Sequence, residues 1–459
     1  MTTAIPTVPG SFLLGNLAEL RHDRVGFLVR VPRDHGDIAW IRLGAFKLLL
    51  LSSPELVQAV LVEHAAAFVK GVGLSVFARP LLGDGLLTSE HEKHKRQRRM
   101  LAPAFMHKRI ASYAETISAY TQRRVELLAG QQQVDLSEQL MQLTFEIIGK
   151  TLFNADLSGD AHEVGEALSA AMNSMAAQLY SALPLPPRVP TPANRRTWHS
   201  VRRLDEVVYR MIRERRAAGG DHGDMMSMLL LAQDEADGSG MTDRQVRDEV
   251  MTAMLAGHET TANALAWSFQ LLAENPAQRV KLEDELDRVL AGRAPTLADL
   301  PQLPFTLQVF REAMRLYPPA FIIARRALRD ITIAGHAVKK GQLVVIDIVG
   351  MHRRAEYFDH PTSFDPARFS PEREKSQKRG AYMPFGGGPR ICIGNHFALV
   401  EGQLALAHLA QHYRFEPVHP GRPVETEALI TLRPRHGLPM YVRPRATAAR
   451  QPKHPASVA

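Results

Sequence analysis

The sequence predicts a mainly α fold with a smaller β-rich lobe. Three observations predict it. From Glu90 onward, apolar residues recur mainly at helical spacing. Strand-like runs gather near the two ends, at 38–43, 46–51 and over 413–443. One uninterrupted helical pattern, opening at Thr242 and ending before Asn275-Pro276, would form a helix about 48 Å long. A helix of that length crosses a whole molecule.

The elements follow in order. Gly44-Ala45 separates two short strands, 38–43 and 46–51, and Pro54 starts a short helix. Gly71 to Thr88 reads as a glycine-containing apolar loop. Pro184 to Pro192 interrupts two helices, at about 161–180 and 193–217. Thr242-Asp243-Arg244-Gln245 has the form of a capping box. The long helix behind it is rich in small residues (Ala253, Ala256, Gly257, Ala262, Ala264), which suits close packing of a flat body. Short strands follow at 331–333 and 343–348, then a polar, irregular stretch over 352–380. A second buried helix begins near Cys392 and runs to about His412. Residues 446–459 read as a disordered tail.

Composition narrows the class. At 459 residues, length alone favours two or more domains. The net charge of +8 is concentrated in Lys93-His94-Lys95-Arg96-Gln97-Arg98-Arg99 and Lys108-Arg109. Neither a zinc-finger spacing nor an aromatic-basic RNA motif accompanies that run, so nucleic acid is not the expected partner. A single cysteine rules out an intramolecular disulfide. No stretch approaches the roughly 18 apolar residues of a membrane span. The opening residues lack the charged and apolar regions of a signal peptide. A cytoplasmic protein without a membrane anchor is expected.

The strongest chemical signal is Phe385-Gly386-Gly387-Gly388-Pro389-Arg390-Ile391-Cys392-Ile393-Gly394. A glycine-rich turn delivers the only cysteine to the start of an apolar helix. Free N–H groups and partial positive charge at a helix N-terminus favour a thiolate. A thiolate can attack, ligate a metal or become oxidised. Held by backbone donors, it suits an iron ligand. The second signal is Ala256-Gly257-His258-Glu259-Thr260-Thr261 inside the long helix, an acid beside an alcohol that could relay protons. The third is Glu312-Ala313-Met314-Arg315, whose charged ends share one helix face.

Together these segments resemble the cytochrome P450 family over nearly the whole chain. The Phe-x-x-Gly-x-Arg-x-Cys-x-Gly pattern matches at every fixed position. The resemblance implies a triangular helical prism in one domain, 1–445, with the long helix over a haem b. It implies Cys392 as the axial iron ligand, Phe385 shielding the sulfur, Arg390 on a propionate and Gly394 allowing close approach. Glu259 and Thr260 would carry protons to bound O2, and Gly257 would leave a groove over the iron. Glu312 and Arg315, with Arg368 from Phe364-Asp365-Pro366-Ala367-Arg368-Phe369, would form a structural triad. Arg98 and, at the family's tryptophan position, His94 would reach a propionate. Arg325 would do likewise, with Arg326 as its competitor.

The activity so implied is a monooxygenase that inserts one oxygen atom from O2 into an apolar small molecule: a terpenoid, steroid or fatty-acid-like compound. Phe77, Leu82, Leu87 and Ala256 are expected along the substrate pocket. Ala320, Phe321, Ile322, Leu429 and Ile430 are expected there too. No Gly-x-Gly-x-x-Gly fingerprint is present. Electrons from NAD(P)H would therefore come through a separate ferredoxin or flavodoxin with its reductase, docked on the basic run at 93–109. The protein is expected to be a monomer. A peroxide-driven hydroxylase and a non-catalytic haem-binding protein are the alternatives; the presence of Glu259-Thr260 favours use of O2.

Overall fold

The computed structural model describes residues 4–157, 161–181, 185–232 and 240–445. The expected tail at 446–459 lies outside the described residues. The β-rich part is built on a five-stranded sheet. β1 (Ile38–Leu43) and β2 (Phe46–Leu51) form an antiparallel hairpin, pairing Ile38 with Leu51 and Leu43 with Phe46. Gly44 takes φ +60 in its turn, a conformation open to glycine. β3 (Phe68–Lys70), β4 (Ile322–Ala327) and β5 (Leu343–Asp347) complete the sheet in the order β1-β2-β5-β4-β3. Only β2 and β5 run parallel.

Leu48 to Leu51 are all buried, so this strand is covered on both faces. Leu49 and Leu51 pack with Val57, Val60 and Ile346. Leu48 and Leu50 pack with Phe27, Leu28 and Phe321 on the other side. The period-two alternation of a strand thus feeds two separate apolar clusters.

The helical part includes α1 (His91–Leu101), α2 (His107–Leu128), α3 (Leu136–Phe153), α4 (Ala161–Leu179), α5 (Pro192–Ala218), α6 (Asp243–Glu274), α7 (Pro304–Leu316) and α8 (Asn395–His412), with further helices between. The long central helix α6 has 32 residues and is buried along most of its length. Its capping box forms as the sequence predicts: Gln245 N–H donates to the Thr242 hydroxyl, and Thr242 N–H donates to the Gln245 side chain. Polar groups on so buried a helix need partners. The Thr144 hydroxyl on α3 donates to the His258 carbonyl at 2.8 Å. The Trp267 indole donates to the Leu432 carbonyl at 3.2 Å, and its ring stacks on Tyr317 at 3.9 Å. A short hairpin, β6 (Thr426–Ala428) and β7 (Leu432–Pro434), lies against this helix. Near the C-terminus, Pro439–Pro444 pairs with Tyr413–Pro417 and with Gln133–Asp135, so Met440 sits opposite Val134. No helix among the described residues is long and apolar enough to cross a membrane.

Glu312, Arg315 and Arg368 meet in the interior. Arg315 donates to both Glu312 carboxylate oxygens at 2.7 and 2.8 Å, and Arg368 donates to one of them at 3.2 Å. Arg315 also binds the carbonyls of His352, Pro361 and Ser363. One guanidinium therefore ties α7 to the irregular stretch that precedes the cysteine loop.

Three local expectations change. Gly71–Thr88 is not an open loop: Gly73–Phe77 and Arg79–Leu82 are short helical turns, because Phe77, Leu81 and Leu82 are drawn into the core. Ile348 does not end a strand. It starts a short helix whose cap, Asp347, accepts from Gly350 N–H. Within 352–380, Pro366–Phe369 and Pro371–Glu374 form helical turns, each begun by a proline at its first positions.

Glu312→Ala should cost about 3–5 kcal/mol, since it strands buried guanidinium charge. Thr242→Ala should cost about 1 kcal/mol, the usual value of a helix cap. Denaturant unfolding followed by circular dichroism reads both. Equal losses would contradict this ranking.

Candidate active site

The cysteine loop is shaped by its glycines. Gly386 and Gly388 have φ +71 and +67. A Cβ on Gly388 would lie 1.9 Å from the Leu61 carbonyl oxygen, so only glycine fits. Cys392 N–H donates to the Phe385 carbonyl at 3.0 Å and closes the turn. The helix itself starts at Asn395, with Gly394 as its cap, so Cys392 stands just ahead of the N-terminus. At Gly394 an added Cβ would meet the Phe105 ring at an ordinary 3.6 Å, so no protein atom demands glycine there.

Cys392 is accessible. Protein atoms nevertheless ring its sulfur and push the thiol pKa up by desolvation; a Gly394 backbone donor and the Arg98 charge pull it down by less. Both facts hold for a residue at the bottom of a recess. They also correct the expected balance: the helix end and backbone donors do not outweigh burial. A bound metal cation supplies the missing bias, since a coordinating thiol is deprotonated outright.

Around this loop the chain collects positive charge. Arg98 on α1 donates to the Ile391 carbonyl at 2.8 Å, which joins α1 to the residue before Cys392. Arg390 pairs with Glu90 and donates to the Ser89 carbonyl at 3.4 Å. Arg325 is buried and Arg326 exposed, because adjacent strand residues face opposite ways. Lys70 on β3 lies opposite Arg325 in the register, on the same face. Its ammonium donates to the Leu86 and Ser89 carbonyls at 2.8 and 2.7 Å. Burial, then the charges of Arg390 and Arg325, pushes the Lys70 pKa down to about 7. Burial and the charges of Lys70, Arg390, Arg98 and Arg325 press His94 down to about 3, so it stays neutral. Arg325 is lowered to about 10, first by burial and then by Arg390.

Two carboxylates offset this cluster. Glu90 is held by Arg390 and accepts from Lys70 N–H at 2.6 Å. Glu249 accepts from Leu86 N–H at 2.9 Å, and burial raises its own pKa to about 7. The cations are thus short of anionic partners, next to an accessible cysteine. That donor set fits a haem, whose propionates are anions and whose iron takes a thiolate.

On α6, the Thr260 hydroxyl donates to the Ala256 carbonyl at 2.7 Å, a back-bond that loosens the local ladder. Ala256 is exposed in the middle of the helix, among residues that are mostly buried. A Cβ on Gly257 would come within 2.5 Å of the end of the Ile148 side chain on α3, so the glycine leaves room for that side chain. Glu259 is 2 % exposed, and its carboxylate accepts from the Thr431 hydroxyl at 2.7 Å. Burial raises its pKa, against Thr431 and Arg433, which lower it.

The pocket residues divide. Ala256 and Ala320 are exposed; Leu87, Ile322, Leu429 and Ile430 are half-buried. Phe77 lines a cleft with Met175 and Trp198, between α4 and α5. Leu82 and Phe321 have essentially no accessible surface and pack into the cores, so the structure places them as scaffold. Sequence reasoning missed Lys70, Glu90 and Thr431. The one signal for Lys70 was a lysine closing the apolar run Ala65 to Val69. Glu90 and Thr431 left no signal, because their partners lie far away in sequence.

A family model, Cytochrome P450, matches residues 6–439. Cyclooctatin synthase of Streptomyces melanosporofaciens is 38% identical over 427 residues, 92% of each chain. Cyclooctat-9-en-7-ol 5-monooxygenase of the same organism is 37% identical, over 90% of each. Pentalenene oxygenase of Streptomyces avermitilis is 32% identical, over 93% of this chain and 94% of its own. With matches of that extent and a thiol–cation site that suits haem, the chain belongs to the cytochrome P450 family of haem-thiolate monooxygenases.

Proposed function

We propose that this monooxygenase hydroxylates an apolar, terpenoid-like molecule, in one folded unit spanning 1–445. The observation that carries the reading is an accessible Cys392, recessed among protein atoms and flanked by buried cations short of counter-charge. Bound there, haem supplies O2 binding and O–O cleavage, favoured by electron density from the thiolate. Cys392 holds the iron. Lys70, His94, Arg98, Arg325 and Arg390 orient the propionates by charge-assisted and neutral hydrogen bonds. Phe385 and Gly394 shape the space around the sulfur. Glu259 and Thr260 hold and pass protons at Oε and Oγ1.

Ala256, Ala320, Leu87, Leu429 and Ile430 offer an apolar wall that orients substrate and excludes water. The names of two relatives speak of cyclooctat-9-en-7-ol and pentalenene. An unsaturated alcohol and an -ene name suit walls with few polar groups.

Electrons come from NAD(P)H through a ferredoxin or flavodoxin with its reductase. The docking face is proposed around Lys95, Arg99, Met106 and Lys108, which are exposed. Support comes from position: Arg98 binds the cysteine loop, and the His107 ring lies 4.2 Å from that of His396, just after it. Such carriers and a lone thiol ligand suit the reducing cytoplasm.

The central test is the carbon monoxide difference spectrum of the reduced protein. It should show thiolate-type absorption, which Cys392→Ser abolishes while the far-ultraviolet dichroism is kept. A colourless protein after haem supplementation would overturn the reading. Lys70→Met should speed haem transfer to apomyoglobin about tenfold, the worth of roughly 1.5 kcal/mol for a charged hydrogen bond. Lys95→Glu with Lys108→Glu should slow reduction by an acidic ferredoxin and flatten its salt dependence. Unchanged rates and slopes would place docking elsewhere.

A further inference from the structure

Glu259 makes its hydrogen bond away from its helix neighbour Thr260. Its Oε1 accepts from the Thr431 hydroxyl, while Oε2 is buried without a partner. Thr431 is 7 % exposed and also receives the Asn263 side-chain amide at 3.3 Å. The turn that carries it is anchored from several sides. The Tyr180 hydroxyl, just past α4, donates to the Leu429 carbonyl at 3.3 Å. Leu432 N–H donates to the Pro319 carbonyl at 3.0 Å, and Trp267 donates to the Leu432 carbonyl. Thr431 therefore cannot drift from the acid without breaking bonds to three parts of the fold.

Beyond Thr431 the path leads outward. Arg433 lies 3.8 Å from Glu259 Oε1 and also binds Glu427 and the exposed Asn173, at 2.8 Å each. One side of Glu259 thus faces a polar route toward the surface, and its unpartnered oxygen is free to take up a proton.

We infer that Thr431 is a positioning residue of the proton relay: it holds Glu259 at the entry of the outward route and releases it toward Thr260. The inference rests on reading Glu259 as the relay acid. The charged groups facing that acid are Arg433, which favours its ionised form, and Glu427, which opposes it. The donated Thr431 hydrogen bond favours ionisation too. Its loss moves the carboxyl titration to higher pH.

The haem-loaded protein serves for the test, with a surrogate ferredoxin and reductase and no added substrate. In that turnover O2 leaves as hydrogen peroxide after two electrons and two protons, or as two waters after four of each. Proton delivery favours water. Glu259→Gln, Thr431→Val and Thr431→Ser are compared for peroxide formed per NAD(P)H. Infrared titration of the carboxylic C=O band, assigned as the one missing in Glu259→Gln, is the second reading. Glu259→Gln and Thr431→Val should raise the peroxide share, and Thr431→Val should shift the band's midpoint upward. Thr431→Ser should match the parent in both, and equal melting temperatures exclude a folding defect. If Glu259→Gln leaves the peroxide share unchanged, the relay reading falls and this inference with it. If Glu259→Gln raises it while Thr431→Val matches the parent in share and midpoint, the role of Thr431 alone is refuted.

Discussion

A helix of 32 residues buried on most sides must find partners inside the protein for most of the polar groups it carries. Much of the architecture follows from that constraint. Thr144 serves the carbonyl of His258, Thr431 serves Glu259 and Asn263, and Leu432 serves Trp267. These bonds reach out from the central helix to two other elements, α3 and the β6–β7 hairpin. The same polar residues that would be costly in an apolar interior therefore fix the positions of α3 and of the β6–β7 hairpin. Where the helix leaves a surface unfilled, at Ala256, it does so beside the hydroxyl of Thr260.

Charge near the cysteine loop obeys the opposite logic. Four basic side chains and a neutral histidine are brought together with two carboxylates, and burial disfavours the charged forms of Lys70 and Glu249 alike. Left alone, such a cluster disfavours folding. The cysteine is likewise biased toward its neutral thiol. Both penalties would be relieved by a ligand that brings anionic arms and a metal cation. The protein and its prosthetic group thus complete one another electrostatically, and haem belongs to the folded state as much as to the chemistry.

Much of this was readable in the sequence, and the reason is locality. The β1–β2 hairpin, the capping box at Thr242 and the stop at Asn275-Pro276 depend on neighbours a few residues away. The cysteine loop is legible because its glycines answer to steric demands that no other residue meets, as at Gly388. What escaped depends on the far end of the chain. Lys70 gains meaning only when β3 pairs with β4, and Thr431 only when its hairpin meets α6. Leu82 and Phe321, apolar and well placed in order, could be told from pocket wall only by packing. The Ile148 side chain that faces Gly257 lies on another helix, so that contact too was beyond the reach of the local pattern.

The pairing of Val134 with Met440 has a bearing on how the protein is made. The segment Gln133–Asp135 emerges from the ribosome early, yet its strand partner is among the last described parts of the chain to be synthesised. During most of translation that edge has no mate, and α3, which begins at Leu136, is held at its start by Leu438. This sheet closes only once Tyr413–Pro417 and Pro439–Pro444 have been synthesised.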